Sequence, residues 1–405
     1  MTARLRAVIL APHLDAHDVG ESLTRFRLVE ELAKLADLTI LALECTKGPP
    51  LSEQLPNAEV VTFEEPEWLR RYERMRAMFR PNIFYVARFA EQWLRNSLSK
   101  GRTWDVAHQI LPAAPRYPTI FRKFDIPYII GSLGGALPTP KAFAKECGSA
   151  SWYTRLRGLD QARFRYDPWL RSSYGAAELV LGVAPYMNEV LKTVPKKRFE
   201  PFLAIGVDSI EPQVERQVVP DSLKLLHVGR AVRTKGLRDV VRAMGHLKDL
   251  SGVTLTSIGG GEEVAICKAE AENLGIADRV QFLGKLPREE IEKHYLESDV
   301  FVFPSFRESM GGVLFEAMRW GLPIITVNAG GPGFIVDEET GLKVDLTDPE
   351  KMPRDLADAI RQLLADPLLR GKLGEAGRQK LLTEQLWRIK AQEMLKLYSS
   401  VKRSG

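Results

Sequence analysis

The C-terminal half of the chain contains the run FPSFRESMGGVLFEAM, residues 303–318. It begins at the end of a short apolar run, continues through a polar loop with Glu308, and opens a helical pattern at Gly311 and Gly312. Glycines at a helix start let backbone amides approach an anion, and the helix dipole favours negative charge there. The run therefore predicts a strand, a site that fits a phosphate, and a helix, in that order.

Glu308 and Glu316 flank this predicted anion site. Carboxylates are poor ligands for phosphate but good acceptors for hydroxyl groups. Their placement points to a ligand that combines phosphate with ribose and sugar. Taken alone, the two glutamates are better explained as a solvated loop residue and an ordinary charge near the start of a helix.

Short β-branched runs alternate with longer amphipathic stretches on both sides of this run. They predict strands at residues 223–228, 253–258, 280–283, 300–303 and 323–327, and in the first half at 6–11, 38–43, 60–63, 106–110, 128–132 and 179–183. Strands that are apolar on both faces and joined by helices indicate parallel sheets covered on both sides. We therefore predict an α/β protein with two Rossmann-like, doubly wound domains facing across a cleft.

Pro212 and Pro220 interrupt the periodicity between the two halves. We place the first domain at residues 1–205 and the second at residues 206–382. A final helical segment, about residues 383–401, is expected to cross back onto the first domain. Ligands of open α/β sheets bind beyond the carboxyl ends of the strands, so the site is expected there.

The composition excludes several classes of protein. The 405 residues are 45% hydrophobic, yet no apolar run approaches the length of about 20 residues that a membrane span needs. The N-terminal run is interpreted as a first strand, because it has no long apolar region followed by a cleavage site. Cys45, Cys147 and Cys267 are far apart and suggest neither a disulfide framework nor a zinc site. A cytoplasmic location fits best.

The net charge of +5 is unevenly distributed. Up to Asp208 the chain has 29 Lys and Arg against 23 Asp and Glu, whereas the remainder has 28 against 29. Residues 68–102 alone carry nine basic and two acidic residues among large aromatic residues, and residues 152–171 form a second basic segment. The first half therefore offers a basic, aromatic surface that suits an anionic partner.

A second candidate site is the run HVGRAVRTKG, residues 227–236, in which a basic loop follows a strand. Arg230 and Lys235 suit a pyrophosphate, because guanidinium gives forked donors and ammonium a mobile charge, and Gly229 permits a tight turn. Solvated loop bases are the alternative. Both this loop and the Glu308 loop follow strands of one sheet, which favours a shared site. The run NAGGPG, residues 328–333, follows the next strand and could cap it.

These motifs form an ordered set: G-R-x4-K-G at residues 229–236, GGG at 259–261, VQFLG at 280–284, the run at 303–318, G-x-P at 321–323 and GG at 330–331. As a set they resemble the large retaining glycosyltransferase family with the GT-B fold that uses nucleotide-sugar donors, also called family 4-like or group 1. The resemblance spans about residues 225–341. It is weaker in the first half, where Gly20 stands at the position of a family glycine loop and Gly206-Val207-Asp208 resembles the close of the family's linker motif.

The resemblance implies a role for each matching residue. Arg230 and Lys235 would hold the diphosphate and stabilise its charge as it leaves. Glu316 would accept from the ribose hydroxyls and Glu308 from those of the transferred sugar. The remaining donor contacts would come from Gly229, Lys285, Leu286, Ser309, Met310, Gly311, Gly312 and Val313.

The first domain departs from the commonest family pattern. Many relatives have Thr-x-His-Gly where this chain has IGSLGG, residues 130–135, so the usual histidine is absent. His108, at the end of the preceding strand, is the nearest candidate for a catalytic contact with the sugar. His13 and His17, after the first strand, are alternatives. A histidine at a strand end is also often a structural residue.

By resemblance, the protein is expected to be a metal-independent hexosyltransferase that moves a sugar from a UDP-sugar, or a GDP-sugar, with retention. It would have no cofactor; no Asp-x-Asp motif stands in a convincing loop and no His and carboxylate cluster suits a metal. A nucleotide-sugar 2-epimerase on the same scaffold and a non-catalytic nucleotide-sugar-binding module are the alternatives.

The first domain is the acceptor side in this family. The acceptor would be a glycan or a polyprenyl-diphosphate-linked glycan in bacterial-type polysaccharide or glycoconjugate synthesis. The basic segments could meet such a lipid-linked acceptor, or the anionic inner face of the membrane that carries it. Arg-rich helices whose aromatic residues enter the core are the alternative. Nucleic acid is not expected, because nothing resembles a groove-binding helix or an RNA-stacking motif.

Overall fold

The strand-forming runs build two parallel sheets in a computed structural model of the chain, which describes residues 4–44, 48–65, 81–147, 158–210, 212 and 216–402. Within these ranges the strands are β1 (Arg6–Leu10), β2 (Asp37–Leu43), β3 (Glu59–Phe63), β4 (Val106–Gln109), β5 (Tyr128–Leu133), β6 (Leu179–Gly182), β7 (Phe199–Pro201), β8 (Leu223–Val228), β9 (Val253–Ile258), β10 (Val280–Gly284), β11 (Val300–Phe303), β12 (Ile324–Val327) and β13 (Gly341–Val344).

Helices connect the strands and cover the sheets. The α-helices of the described ranges are α1 (Glu21–Ala33), α2 (Leu51–Gln54), α3 (Pro81–Ser99), α4 (Gly158–Tyr166), α5 (Pro168–Ala176), α6 (Tyr186–Val190), α7 (Leu237–Gly245), α8 (Glu263–Asn273), α9 (Arg288–Glu297), α10 (Gly312–Arg319), α11 (Gly330–Ile335), α12 (Lys351–Ala365), α13 (Pro367–Lys380) and α14 (Trp387–Val401). Among the described residues, no helix combines the length and the apolar character needed to cross a bilayer.

The order of the strands is that of doubly wound sheets. The first sheet runs β3-β2-β1-β4-β5-β6-β7 and the second β10-β9-β8-β11-β12-β13, with each neighbouring pair parallel. This confirms the predicted α/β class with two Rossmann-like sheets. The sequence analysis missed β7 and β13, which are the outermost strands on one side of each sheet. Both are short, and each contains a Pro or Gly that weakens the strand signal.

The chain divides into two compact units. One contains the described residues up to Ala136, those from Gly158 to Gly206, and those from Trp387 onward. The other combines Val207–Leu386 with a short segment that begins at Leu137. We call residues 137–147 of that segment the strap. The strap comes from the first half of the sequence, and its Phe143 is buried in the apolar core of the second unit.

The core of the first unit includes the C-terminal helix. Helix α14 packs against α1, and Trp387, Met394 and Tyr398 are buried beside the apolar residues of β1 and β2. The core of the second unit lies between the sheet formed by β8 to β13 and helices such as α7 and α12, with Val240 and Ile360 fully buried. Each unit thus has its own apolar core.

A buried polar cluster fixes the end of β5 in the first unit. The fully buried Arg25 guanidinium donates to the carbonyls of Ala204 at 2.6 Å and Ser132 at 3.1 Å. Burial lowers the pKa of Arg25 to about 10, so it remains charged at neutral pH. The cluster connects α1, β5 and the segment after β7 through hydrogen bonds to backbone carbonyls.

His108 belongs to the same buried layer. Its Nε2 is hydrogen-bonded to the carbonyl of Gly131, and its Nδ1 lies 2.7 Å from the hydroxyl of Tyr398 on α14. Burial, the largest cause, lowers the pKa of His108 to about 4. The ring is therefore neutral at pH 7, with both nitrogens occupied.

His108 should make the stability of the protein sensitive to acid. An unfolded histidine takes up its proton near pH 6.5, whereas the folded pKa is about 4, so acid between these values favours the unfolded state. When the pH falls from 7 to 5, the free energy of unfolding of the parent should decrease by about 2 kcal/mol more than that of His108→Gln. Urea unfolding at the two pH values measures this. The exposed His246→Gln is the matched control, and equal pH dependence of all three proteins would contradict the expectation.

Candidate functional site

The loops at the carboxyl ends of β8, β9 and β10 are connected through their backbones. The Gly259 amide donates to the Gly284 carbonyl at 2.7 Å, and the Ala231 amide donates to the Gly260 carbonyl at 3.0 Å. Gly259 has φ 132°, and a Cβ there would lie 1.8 Å from the Gly229 carbonyl oxygen. Glycine is therefore required at position 259, and this edge of the second sheet is a tightly packed backbone surface.

Lys235 and Glu308 meet at this edge. The Lys235 ammonium forms an ion pair with the Glu308 carboxylate and lies 5.6 Å from the centroid of the Phe303 ring. The Lys235 and Glu308 side chains are only 14% and 18% exposed. The residues predicted to bind diphosphate and sugar are thus in direct contact, close enough for one ligand to reach both.

Arg230 lies in the same loop as Lys235. Arg230 is exposed, and its guanidinium makes no hydrogen bond or ion pair with the residues that the structure describes. Unlike Lys235, it therefore has its donors available to an anion.

The turn after Glu308 is shaped by glycine. Gly311 has φ 80° and stands just before α10, and the Met310 amide donates to Glu308 Oε1 at 3.2 Å. The loop before α11 packs closely against this turn, because the Gly331 amide donates to the Glu308 carbonyl at 2.9 Å. A Cβ on Gly331 would lie 2.4 Å from the Ser309 carbonyl oxygen. The two glycine loops predicted to share a site are therefore in contact.

Glu316 lies on α10, and Tyr295 of α9 contacts it. The Tyr295 hydroxyl donates to Glu316 Oε2 at 3.1 Å. Burial, the largest cause, raises the pKa of the Glu316 carboxyl above its usual value, although this hydrogen bond acts in the opposite direction. The sequence predicted a role for Glu316 but not for Tyr295, because a tyrosine on an amphipathic helix looks like an ordinary core residue.

The other predicted donor contacts surround this edge. Lys285 is exposed directly after β10, and a Cβ on Gly260 would lie 3.5 Å from its side chain. Leu286 and Gly229 are partly buried. The structure places the remaining ones at the start of α10 or in the turn before it: Ser309, Met310, Gly312 and Val313.

In the first unit, the structure corrects one assignment. His108 was the nearest candidate for a catalytic contact with the sugar, but it is fully buried and both of its ring nitrogens are hydrogen-bonded. It cannot reach a ligand without breaking the core. The alternatives lie after β1, where His17 is half exposed beside Asp15 and the His13 ring lies 3.1 Å from Asn82 Nδ2. Gly20, with φ 68°, precedes α1 in the same unit.

Arg233 is a residue that the sequence analysis missed. Its guanidinium forms two hydrogen bonds with Asp239, at 2.5 and 2.8 Å, and two with Glu146 of the strap, at 2.9 and 2.6 Å. The rings of Phe143 and Phe306 lie 5.2 and 5.3 Å from it. Arg233 is two positions from Lys235, and Phe306 is two positions from Glu308. The buried guanidinium therefore holds together the strap, the loop with Lys235 and the loop with Glu308.

No sequence signal pointed to this arrangement, because Glu146 and Arg233 are 87 positions apart. Additional ion pairs extend the cluster, from Arg242 to Glu146 and Glu270, and from Arg238 to Glu263.

In the part of the chain that the structure describes, no group of three or more His, Cys, Asp or Glu residues is arranged to hold a metal ion.

Arg233→Met should destabilise the protein by about 3–5 kcal/mol, because it leaves the fully buried Asp239 without its partner. The double variant Arg233→Met/Asp239→Leu should recover much of this loss. Arg361→Met is the matched control, since it breaks an exposed pair with Asp249 and should cost less than about 1 kcal/mol. Urea unfolding measures all three variants. Equal losses for Arg233→Met and Arg361→Met would show that the cluster does not hold the loops.

Comparison with known proteins finds one sequence family that matches most of the second unit. Residues 210–380 match the family described as Glycosyl transferases group 1. The GDP-mannose-dependent alpha-(1-6)-phosphatidylinositol monomannoside mannosyltransferase of Mycolicibacterium smegmatis is 31% identical over 240 residues, which cover 57% of this chain and 60% of that protein. The chain thus spans less than two thirds of this relative's length.

Solved structures share the architecture over nearly the whole chain. Sucrose-phosphate synthase from Thermosynechococcus elongatus has a TM-score of 0.62 at 21% identity, covering 98% of this chain and 99% of that one. Anabaena HepE, solved in complex with UDP, has a TM-score of 0.61 at 15% identity, covering 98% and 100%. At these identities the likeness shows the GT-B fold. The chain thus has the GT-B fold, and its residues 210–380 match the glycosyl transferases group 1 family.

Proposed function

We propose that the protein is a glycosyltransferase that moves a sugar from a nucleoside-diphosphate sugar to a glycan or lipid-linked acceptor, with retention of configuration. The observation that carries the proposal is the contact between Lys235 and Glu308 at the carboxyl edge of the second sheet. There a cation suited to phosphate and a carboxylate suited to hydroxyls can act on one ligand. The family match over the same residues supports this reading.

The diphosphate would lie between Arg230, Lys235 and the turn that ends at Gly311. During transfer the bond from the anomeric carbon to the diphosphate breaks and a bond to the acceptor hydroxyl forms. The hydroxyl loses its proton, and the nucleoside diphosphate leaves with the negative charge. Both cations would stabilise that charge where it develops. We therefore propose that transfer does not require a divalent metal.

Glu308 and Glu316 would bind different parts of the donor. Glu308 is paired with Lys235 and is assigned to the hydroxyls of the transferred sugar. Glu316 lies further along α10 and is assigned to the ribose. Lys285 and Leu286 follow β10 and are assigned to the base. A UDP-sugar is our first choice of donor and a GDP-sugar the second; HepE was solved with UDP, and the mycolicibacterial relative is named GDP-mannose-dependent.

A donor screen tests the function. UDP- and GDP-sugars are compared by ligand-induced thermal shift, since a ligand that binds only the folded state raises the unfolding temperature. The stabilising donor is then incubated with glycan and polyprenyl-diphosphate-linked acceptors in EDTA, and the anomeric configuration of the product is determined by NMR. Transfer with retention is expected. Formation of an epimer without acceptor, or binding without turnover on any acceptor, would overturn the proposal.

Lys235→Ala and Arg230→Ala should each weaken binding of the nucleoside diphosphate by about 10- to 100-fold, because each removes one charge-assisted contact. Transfer should slow as well. Lys372→Ala, which removes an exposed lysine of the same unit, is the control and should bind like the parent. Isothermal titration gives the affinities. Parental binding by both Lys235→Ala and Arg230→Ala would remove the diphosphate clamp from the proposal.

We further propose that the first unit meets a lipid-linked acceptor at the anionic cytoplasmic face of a membrane. Leu159, Tyr166 and Trp169, on α4 and α5, are 57%, 71% and 68% exposed. The Arg165 guanidinium lies 5.6 Å from the Tyr166 ring. Exposed aromatic residues beside arginines suit the headgroup region of an anionic bilayer.

The structure describes the basic segments of the sequence only in part. Residues 68–80 and 152–157, with Arg70 and Arg74, lie outside the described residues. Of residues 81–102, the helix α3 exposes Arg88 and, at 54%, Phe84.

The parent protein should bind vesicles of anionic phospholipid and be released by salt, since basic residues near such a surface contribute about 1 kcal/mol each. Trp169→Ala and Arg165→Glu should each reduce this binding and leave nucleotide binding unchanged. Leu368→Ala is the control, because Leu368, like Trp169, is a large exposed hydrophobic residue, but it lies in the second unit and is 87% exposed. Vesicle co-sedimentation across a salt series measures the effect. Equal partitioning to neutral and anionic vesicles, or to neither, would contradict the membrane contact.

A further inference from the structure

We propose that Tyr295 is a positioning residue that orients the Glu316 carboxylate toward the ribose of the donor. This inference rests on the proposed function, because it concerns the nucleotide site of the second unit. It adds a residue that contacts no ligand itself. Its effect would appear as a preference for ribose-containing ligands over pyrophosphate alone.

The position of the Tyr295 hydroxyl is fixed from several directions. The residue is 1% exposed, and its ring lies 5.7 Å from the ring of Phe301 in the central strand β11. Its backbone carbonyl accepts a hydrogen bond from Arg216 Nη2 at 3.2 Å. Arg216 also donates to the carbonyls of Ser298 and Trp320, at 2.7 Å each, so it connects the ends of α9 and α10. The hydroxyl is therefore held at a defined distance from α10.

The two oxygens of Glu316 have different surroundings. Oε2 accepts from the Tyr295 hydroxyl at 3.1 Å. Among the described residues Oε1 has no hydrogen-bond partner, and it is accessible to solvent. One oxygen is thus fixed by the protein, and the other remains available to a ligand hydroxyl.

The hydrogen bond also affects the charge of Glu316. Burial raises the pKa of this carboxyl, and Glu292 raises it too, whereas Tyr295, Arg288 and Arg319 lower it. Loss of the Tyr295 hydroxyl should therefore raise the pKa of Glu316 further. A carboxylate accepts hydrogen bonds from hydroxyls better than a carboxylic acid does. As the pH falls, nucleotide binding should therefore be lost at a higher pH in the variant without this hydroxyl than in the parent.

Tyr295→Phe in the full chain tests the proposal, with UDP, GDP and inorganic pyrophosphate as probes in isothermal titration. The Kd of the nucleoside diphosphate that the parent binds should rise about fivefold to tenfold at pH 7. The Kd of pyrophosphate should stay unchanged, and the pH midpoint of nucleotide binding should move upward. The 2′,3′-dideoxy form of the same nucleotide should bind the parent and Tyr295→Phe equally.

Tyr174→Phe is the matched control. Tyr174 is also fully buried, and its hydroxyl donates to the Pro115 carbonyl at 2.9 Å in the first unit. Its removal tests the loss of a buried tyrosine hydroxyl away from the nucleotide site and should change none of the three affinities. Equal weakening of pyrophosphate and nucleotide by Tyr295→Phe would overturn the proposal, because it would mean that Tyr295 supports the whole site structurally. Parental nucleotide affinity at every pH would also overturn it.

A second readout does not depend on nucleotide binding. The titration of Glu316 is followed by carboxyl 13C NMR of protein labelled at glutamate, with the signal assigned through Glu316→Gln. Tyr295→Phe should move this titration to higher pH. An unchanged titration would overturn the positioning contact. If the titration shifts in Tyr295→Phe but the parent binds neither UDP nor GDP, the proposed function is overturned and the contact between Tyr295 and Glu316 stands.

Discussion

The second unit depends on the buried guanidinium of Arg233. A charge removed from water is costly unless hydrogen bonds and an opposite charge replace its hydration. Asp239 and Glu146 supply these, and the rings of Phe143 and Phe306 cover the guanidinium. Because its partners come from α7, the strap and the loop after β11, they must all be in place for the charge to be compensated. The arginine therefore specifies one arrangement of these elements.

The contacts around Arg233 also make the candidate site rigid. The contact between Arg233 and Phe306 joins the loop with Lys235 to the loop with Glu308. Backbone hydrogen bonds connect both loops to neighbouring glycine loops. In the proposed function, the polar ends of Lys235, Glu308 and Arg230 meet the ligand at this edge. A scaffold of this kind places a cation and a carboxylate within one ligand's reach with little cost in conformational freedom on binding.

The sequence analysis predicted the fold class because β-branched runs such as 223–228 and 300–303 are apolar on both faces, which only buried parallel strands require. It also predicted donor contacts for Lys235, Glu308 and Glu316, because these positions match the motifs of the family that the chain resembles, and the structure brings Lys235 and Glu308 into contact. It was wrong about His108, because a histidine at the end of a strand looks the same whether it faces a cleft or the core; its partner Tyr398 is 290 positions away. Arg233 and Tyr295 were missed for the same reason, since their roles depend on contacts with other elements.

The strap and helix α14 have a consequence for how the chain folds during synthesis. The first unit contains α14, which the ribosome makes after every residue of the second unit. The second unit contains the strap, which is made before Val207 appears. On a ribosome, domains generally fold in the order in which they emerge. Here the strap must wait, with Phe143 and Glu146 uncovered, until Arg233 has been translated, and the first unit cannot close its core over Tyr398 until translation has passed that residue.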